Sequence, residues 1–178
     1  MTTIVGVEHV WGCTLLADGL TTGSDNRRYC GPGMEKIVKR GEYLLAPGGA
    51  GAACDVVAAW LPPPAPALVD IRFMRKKFVP SLRGALREHG IEMTGKEEPG
   101  VEVLVAVHGR VYHIASDGTI LVHQSGVAAL GTGAAYAVGA LEHGATPRQA
   151  METAIAQDAS TGYPIQVMKQ PRPGQETA

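Results

Sequence analysis

Apolar and polar positions divide the chain into two β-rich blocks, each followed by helices. β-branched residues alternate over residues 2–7, and the pattern resumes over 12–18 after a break at His9-Val10-Trp11, which predicts a hairpin ending on Asp18. A polar, glycine-containing loop over 19–33 follows, then two short strands, 36–40 and 43–46, joined at Gly41-Glu42. Over 50–61 the composition shifts to Ala, Val and Trp without a breaker, and Pro62-Pro63-Pro64 stops the helix this predicts. A second helix is expected over 69–89, with Pro80 as a boundary or kink and Gly90 as its C-terminal cap.

The second block opens after a charged loop at 94–100 that contains Gly and Pro. Residues 101–107 are almost continuously apolar, a run that suits a strand buried on both faces. Residues 111–115, 120–123 and 127–130 read as the rest of a meander, with turns at Gly109-Arg110 and Asp117-Gly118. Helices return at 134–143, closed by Gly144. In Thr146-Pro147-x-Gln149 the chain then supplies an N-cap, a first-turn proline and a capping-box partner. The helix they start runs to 157 and presents Ala150, Met151, Ala154 and Ile155 on one side. A last strand is expected at 165–168. One domain is expected over 1–169, with 170–178 disordered because it holds two prolines and little to bury. Strands, two helices, strands, two helices and a strand predict an α+β fold, a four-layer α-β-β-α sandwich with two antiparallel sheets between helical layers.

Composition removes several function classes. At 178 residues the chain is long enough for one sizeable core. A net charge of −1, with no basic run longer than Arg75-Lys76-Lys77, argues against nucleic acid or an anionic membrane as partner. Apolar runs stop well short of the roughly 20 residues that span a bilayer. No basic region followed by an apolar core and a cleavage site marks a secretory leader, so a cytoplasmic location is expected. Cys13, Cys30 and Cys54 form no Cys-x-x-Cys pair and read as thiols, Cys54 as a small hydrophobe in a helical run. The histidines form no i,i+4 pair, so neither a metal nor another cofactor is expected. Gly48-Gly49-Ala50-Gly51 lacks the Gly-Lys-Ser/Thr of a phosphate loop.

Candidate chemistry starts at Thr2. Removal of Met1 would give this residue a hydroxyl and a free amine together, a nucleophile and a base on one residue, as in N-terminal-nucleophile hydrolases. An α-amine with an ordinary pKa of roughly 7.7 to 8.0 is a suitable proton acceptor near neutrality.

Six landmarks in order extend this beginning: Thr-Thr-Ile-Val-Gly-Val from Thr2, Ala-Asp-Gly at 17–19, Glu-Lys-Ile at 35–37, Gly-Ala-Gly-Ala-Ala at 49–53, Gly-Thr-Gly-Ala-Ala-Tyr-Ala at 131–137 and Asp-Ala-Ser-Thr-Gly at 158–162. Together they cover most of the chain and resemble a proteasome β-type subunit or its bacterial relative, the HslV peptidase. The resemblance implies a threonine peptidase in which Lys36 stands beside the Thr2 hydroxyl, Asp18 holds Lys36, and Gly51 at a helix start donates its N–H to the oxyanion. It further implies that Thr132, where the family has serine, orients the Thr2 amine, that Gly133 adds a backbone donor, and that Asp158 and Thr161 form a supporting polar pair. Peptide or unfolded protein is the implied substrate, a homo-oligomeric ring the implied assembly, and a separate ATPase unfoldase the implied partner.

The chain departs from the pattern in places. The loop between Asp18 and Lys36 is two residues longer than usual, which leaves Lys39 as the alternative lysine. Gly19-Leu20 resembles the bacterial enzyme, whereas Asp158-Ala-Ser-Thr-Gly resembles the archaeal and eukaryotic type. With Met1 alone ahead of Thr2, maturation is expected to need only methionine excision. A chain that kept Met1 would be a catalytically inactive scaffold of the same fold, and a small-amide hydrolase is the third reading.

Overall fold

The computed structural model describes residues 2–23, 27–93 and 100–175. Met1, residues 24–26 of the polar loop, residues 94–99 of the charged loop and the last three residues lie outside the described residues.

Strands β1 (Thr3–Glu8) and β2 (Gly12–Asp18) form the expected hairpin, and β10 (Val127–Gly131) and β11 (Ile165–Pro171) flank it in an antiparallel sheet of order β10-β1-β2-β11. A second antiparallel sheet has the order β5-β6-β7-β8-β9, formed by Val38–Arg40, Tyr43–Gly49, Val101–Val107, Arg110–Ile114 and Ile120–Leu121. Side chains alternate between the faces of a strand, and here both faces are covered. Ile4, Leu15 and Ala17 point between the sheets with Leu44, Ala46, Leu104 and Leu130, whereas Val5 and Leu16 point the other way, onto Ala137, Ala150, Met151 and Ala154 of the helices behind. Such two-sided burial explains why β2 is buried along its whole length.

Helices α4 (Ala134–Glu142) and α5 (Pro147–Gln157) cover the first sheet, and α1 (Gly51–Ala59) and α3 (Val79–Glu88) cover the second. The result is the expected sandwich of helix, sheet, sheet and helix. The capping box at Thr146 forms as expected: Gln149 N donates to the Thr146 hydroxyl and Thr146 N to the Gln149 side chain. A Thr N-cap contributes about 1 kcal/mol.

Several expectations are corrected. Residues 127–130 are not the end of a meander; after the Ser125-Gly126 turn the chain crosses to the other sheet, where Val127 to Gly131 pair with Val7 to Thr3. The helix expected over 69–89 is Ile71–Phe73 (α2), a π-helical turn over Met74–Phe78 and then α3. Pro80 explains the break, since its ring would clash with the carbonyl four residues back, and a wider turn ahead of it relieves that clash. Gly90 closes α3 as expected, at φ +74°, with Ile91 N bonded to Leu86 O. The loop at 19–33 contains a short ribbon, β3 (Thr21–Thr22) with β4 (Arg28–Tyr29). Lastly, the segment expected to be disordered begins as strand: Gln170 and Pro171 pair with Cys13 and Gly12, and Arg172 N bonds Trp11 O. The Gln170 side chain fastens it further, accepting from Gly109 N and donating to Glu42 O.

Candidate active site

The β1–β2 hairpin brings the start of the first strand against the end of the second, so Thr2 meets Asp18. The Asp18 carboxylate is fully buried, and such a group is costly unless every lone pair finds a donor. Its Oδ1 accepts from the Thr2 hydroxyl at 3.0 Å, from Thr3 N at 2.8 Å and from the Lys36 ammonium at 2.7 Å. Its Oδ2 accepts from Leu20 N at 3.2 Å and Gly162 N at 3.1 Å. One carboxylate thus ties the Thr2 hydroxyl to a cation, and three backbone donors fix its plane.

Lys36 precedes β5 in irregular chain and needs its own support. The amide of Gln166 on β11 supplies it, accepting from Lys36 N and Ile37 N and donating to Ile37 O at 2.7 Å. The ammonium also donates to Leu20 O at 2.6 Å. Burial pushes the Lys36 pKa below the ordinary lysine value, with the Asp18 charge and hydrogen bond opposing that shift. Lys39, the alternative, is an exposed residue of β5 opposite Leu44.

A second polar network reaches the same strand. Asp158 Oδ2 accepts from the Thr132 and Thr161 hydroxyls, each at 2.5 Å, and Oδ1 accepts from Ser160 N. Because Thr161 donates its proton to Asp158, the Thr3 hydroxyl donates to Thr161 Oγ1 at 2.6 Å and accepts from Gly133 N at 3.0 Å. The chain of hydroxyls therefore points toward the carboxylate, which polarises each link. Desolvation acts to raise the Asp158 pKa, but these hydrogen bonds prevail and hold it below the usual carboxylate value.

Glycines shape the remaining wall. A Cβ on Gly48 would lie 2.9 Å from Thr2 Cγ2 and 2.4 Å from Leu130 Cδ1, so only glycine lets β6 pass this close to Thr2. At Gly49, φ is +127° and a Cβ would overlap Gly100 O. Gly51 opens α1 after the N-cap Ala50, with open space where a side chain would stand. These glycines, Thr2, Lys36 and Cys54 border a cavity of about 370 Å³. Burial raises the Cys54 thiol pKa to about 11, keeping it protonated near neutrality.

Of the residues singled out in the sequence, Thr2, Lys36 and Gly51 line one cavity with Asp18 buried behind Thr2 and Lys36, and Asp158, Thr161 and Thr132 form the adjoining network. Two placements differ from expectation. The Thr132 hydroxyl is bonded to Asp158, and it is the Thr132 backbone N–H that reaches Thr2, through its carbonyl oxygen at 3.0 Å. Gly133 N–H is engaged by the Thr3 hydroxyl, so it offers nothing to Thr2. Gln166, Thr3, Gly48 and the N–H of Gly162 were not foreseen. Of these, Thr3 carried a visible signal, being a polar residue at an inward position of an apolar strand.

No protein-family model and no curated protein matches the sequence. Solved structures do. BPH from Thiobacillus denitrificans in complex with epoxomicin is 22% identical over 95% of this chain and 98% of that one, with a TM-score of 0.74. Anbu (Gly-1 mutant) from Hyphomicrobium sp. strain MC1 is 18% identical over 99% and 84%, with a TM-score of 0.70. The eukaryotic HslV from Trypanosoma brucei is 15% identical over 94% and 99%, with a TM-score of 0.64. The protein therefore has the fold of HslV, as its sequence landmarks predicted.

Proposed function

We propose that this protein is a threonine-type endopeptidase, with Thr2 as nucleophile once Met1 has been removed. The observation that carries the reading is the buried Asp18 carboxylate bonded to both the Thr2 hydroxyl and the Lys36 ammonium. A buried ion pair is a poor way to stabilise a fold, and one that also binds a hydroxyl at a cavity fits a reactive site. The likeness in fold to HslV supports the same reading, as does the epoxomicin held by BPH of similar fold.

In the reaction, Thr2 Oγ attacks the scissile carbonyl carbon while the Thr2 amine takes the hydroxyl proton. The Lys36 ammonium favours the developing alkoxide, and Gly51 N–H at the start of α1 stabilises the carbonyl oxygen as it gains charge. Collapse breaks the C–N bond, the amine returns its proton to the leaving nitrogen, and an ester to Thr2 remains. Water, deprotonated by the same amine, then attacks that ester and releases the acid and the Thr2 hydroxyl. Thr132, Asp158 and Thr161 hold the strand that carries the nucleophile. We assign the protein to a homo-oligomeric ring in the cytoplasm, taking peptides or unfolded protein from a separate ATPase.

Hydrolysis of fluorogenic peptides by Thr2→Ala, Thr2→Ser and the parent protein tests the reading. Loss in Thr2→Ala with the protein still folded, and partial activity in Thr2→Ser, is the expected result; undiminished turnover by Thr2→Ala contradicts it.

A further inference from the structure

The cavity beside Thr2 has walls of unequal character. Gly51, Cys54, Asp55 and Ala58 line it from α1, at the i, i+3, i+4 and i+7 positions that share one helix face, and Met34 and Glu35 line it from the segment leading to Lys36. Among the described lining residues, the charged side chains are Glu35, Lys36 and Asp55. The Lys36 charge is already matched by Asp18 at 2.7 Å, which leaves the cavity with two carboxylates and no balancing cation in its lining. Both carboxylates belong to exposed residues, so they stand at the rim, whereas Met34 and Ala58 offer half-buried apolar surface.

We propose that this cavity takes a basic side chain, lysine or arginine, from the residue whose carbonyl Thr2 attacks, with Asp55 as the principal determinant and Glu35 as the second. Lysine and arginine carry an apolar stem and a charged head, and the cavity offers a match for each, apolar lining from Met34 and Ala58 and the carboxylates of Glu35 and Asp55. Asp55 lies one residue after Cys54 on the helix that begins with Gly51, so a side chain entering beside Thr2 runs along that helix face toward it. An aspartate or glutamate side chain in the same place would meet like charge. The inference rests on the peptidase reading and specifies its substrate class.

The test is a series of fluorogenic peptides that differ only at the residue before the cut: lysine, norleucine, arginine, citrulline and glutamate. Exposed carboxylates attract modestly, so the expected kcat/KM preference for lysine over norleucine and arginine over citrulline is about tenfold, shrinking as salt is raised. Asp55→Asn should cut that ratio to about two- or threefold, and Asp55→Lys should favour the glutamate peptide. Cleavage with a preference for norleucine, or ratios unmoved by both Asp55 variants, overturns the inference while leaving the peptidase intact. If no peptide is cleaved and epoxomicin does not label Thr2, the peptidase reading fails and this inference with it.

Discussion

Asp18 and Asp158 both serve the Thr2-Thr3 pair at the start of β1, but they do so by different means. Asp18 is fully buried, faces a cation and touches the Thr2 hydroxyl directly. Asp158 is half-buried, receives hydroxyl and amide donors, and reaches the strand through Thr161 and Thr3. The first arrangement places charge beside the proposed nucleophile; the second fixes position with neutral donors. Removing the charge of Asp18 should therefore alter chemistry and stability together, whereas the loss of Asp158 should be felt mainly as misplacement.

The largest expected effect is at Asp18. Asp18→Ala leaves the Lys36 ammonium largely buried without its counter-ion, a loss of about 3–5 kcal/mol by the usual cost of a broken buried pair, and activity should vanish. Asp158→Asn removes charge-assisted hydrogen bonds of about 1.5–3 kcal/mol each at most, and should lower kcat while leaving a measurable rate. Denaturant melts and peptide turnover on both variants check the contrast; equal losses would erase it.

The two sites should also separate by pH. The proposed mechanism needs a neutral Thr2 amine and a charged Lys36, so kcat/KM should rise through the amine pKa and fall on the alkaline side below 10.5, the ordinary lysine value, because burial lowers the Lys36 pKa. Lys36→Arg, whatever its residual rate, should lose that alkaline fall, since arginine stays charged. Asp158 acts at the other end of the scale. Its folded pKa lies below 3.8, so its stabilisation is complete above 3.8 and is lost as pH falls through the lower folded value. The stability difference between the parent and Asp158→Asn should accordingly shrink in acid.

The smallest effect concerns the hydroxyl chain. Thr3→Val or Thr161→Val alone strands a buried polar partner, at about 1–3 kcal/mol, while the double variant should cost less than the sum. Strict additivity in a double-mutant cycle would mean that the 2.6 Å contact carries no coupling.

Much of the architecture was legible because local rules agreed. The β2 boundaries, the Thr146 capping box and the Gly90 cap each follow from residues within a few positions of the feature. What escaped depends on distant partners. A five-residue apolar strand such as Val127–Gly131 does not state which sheet it will join, and its move beside β1 is what delivers Thr132 N–H to the Thr2 carbonyl. Likewise, nothing in the sequence around Gln166 marks it as the residue that holds the Lys36 backbone, because the contact spans 130 positions. Thr2, Asp18 and Lys36 were singled out by pattern, and the fold brings them into one hydrogen-bonded cluster; the placements of Thr132 and Gly133 differ because Thr3, one residue on, engages the Gly133 donor and the Asp158 network.

The proposed chemistry requires an unblocked Thr2 whose hydroxyl and amine act together. Incubation of the purified protein with epoxomicin, followed by mass analysis of the N-terminal peptide, tests this most directly. A peptide beginning at Thr2 and carrying the inhibitor mass, absent in Thr2→Ala, is the result the account requires. A peptide that still begins with Met1 in protein that hydrolyses substrate would contradict it.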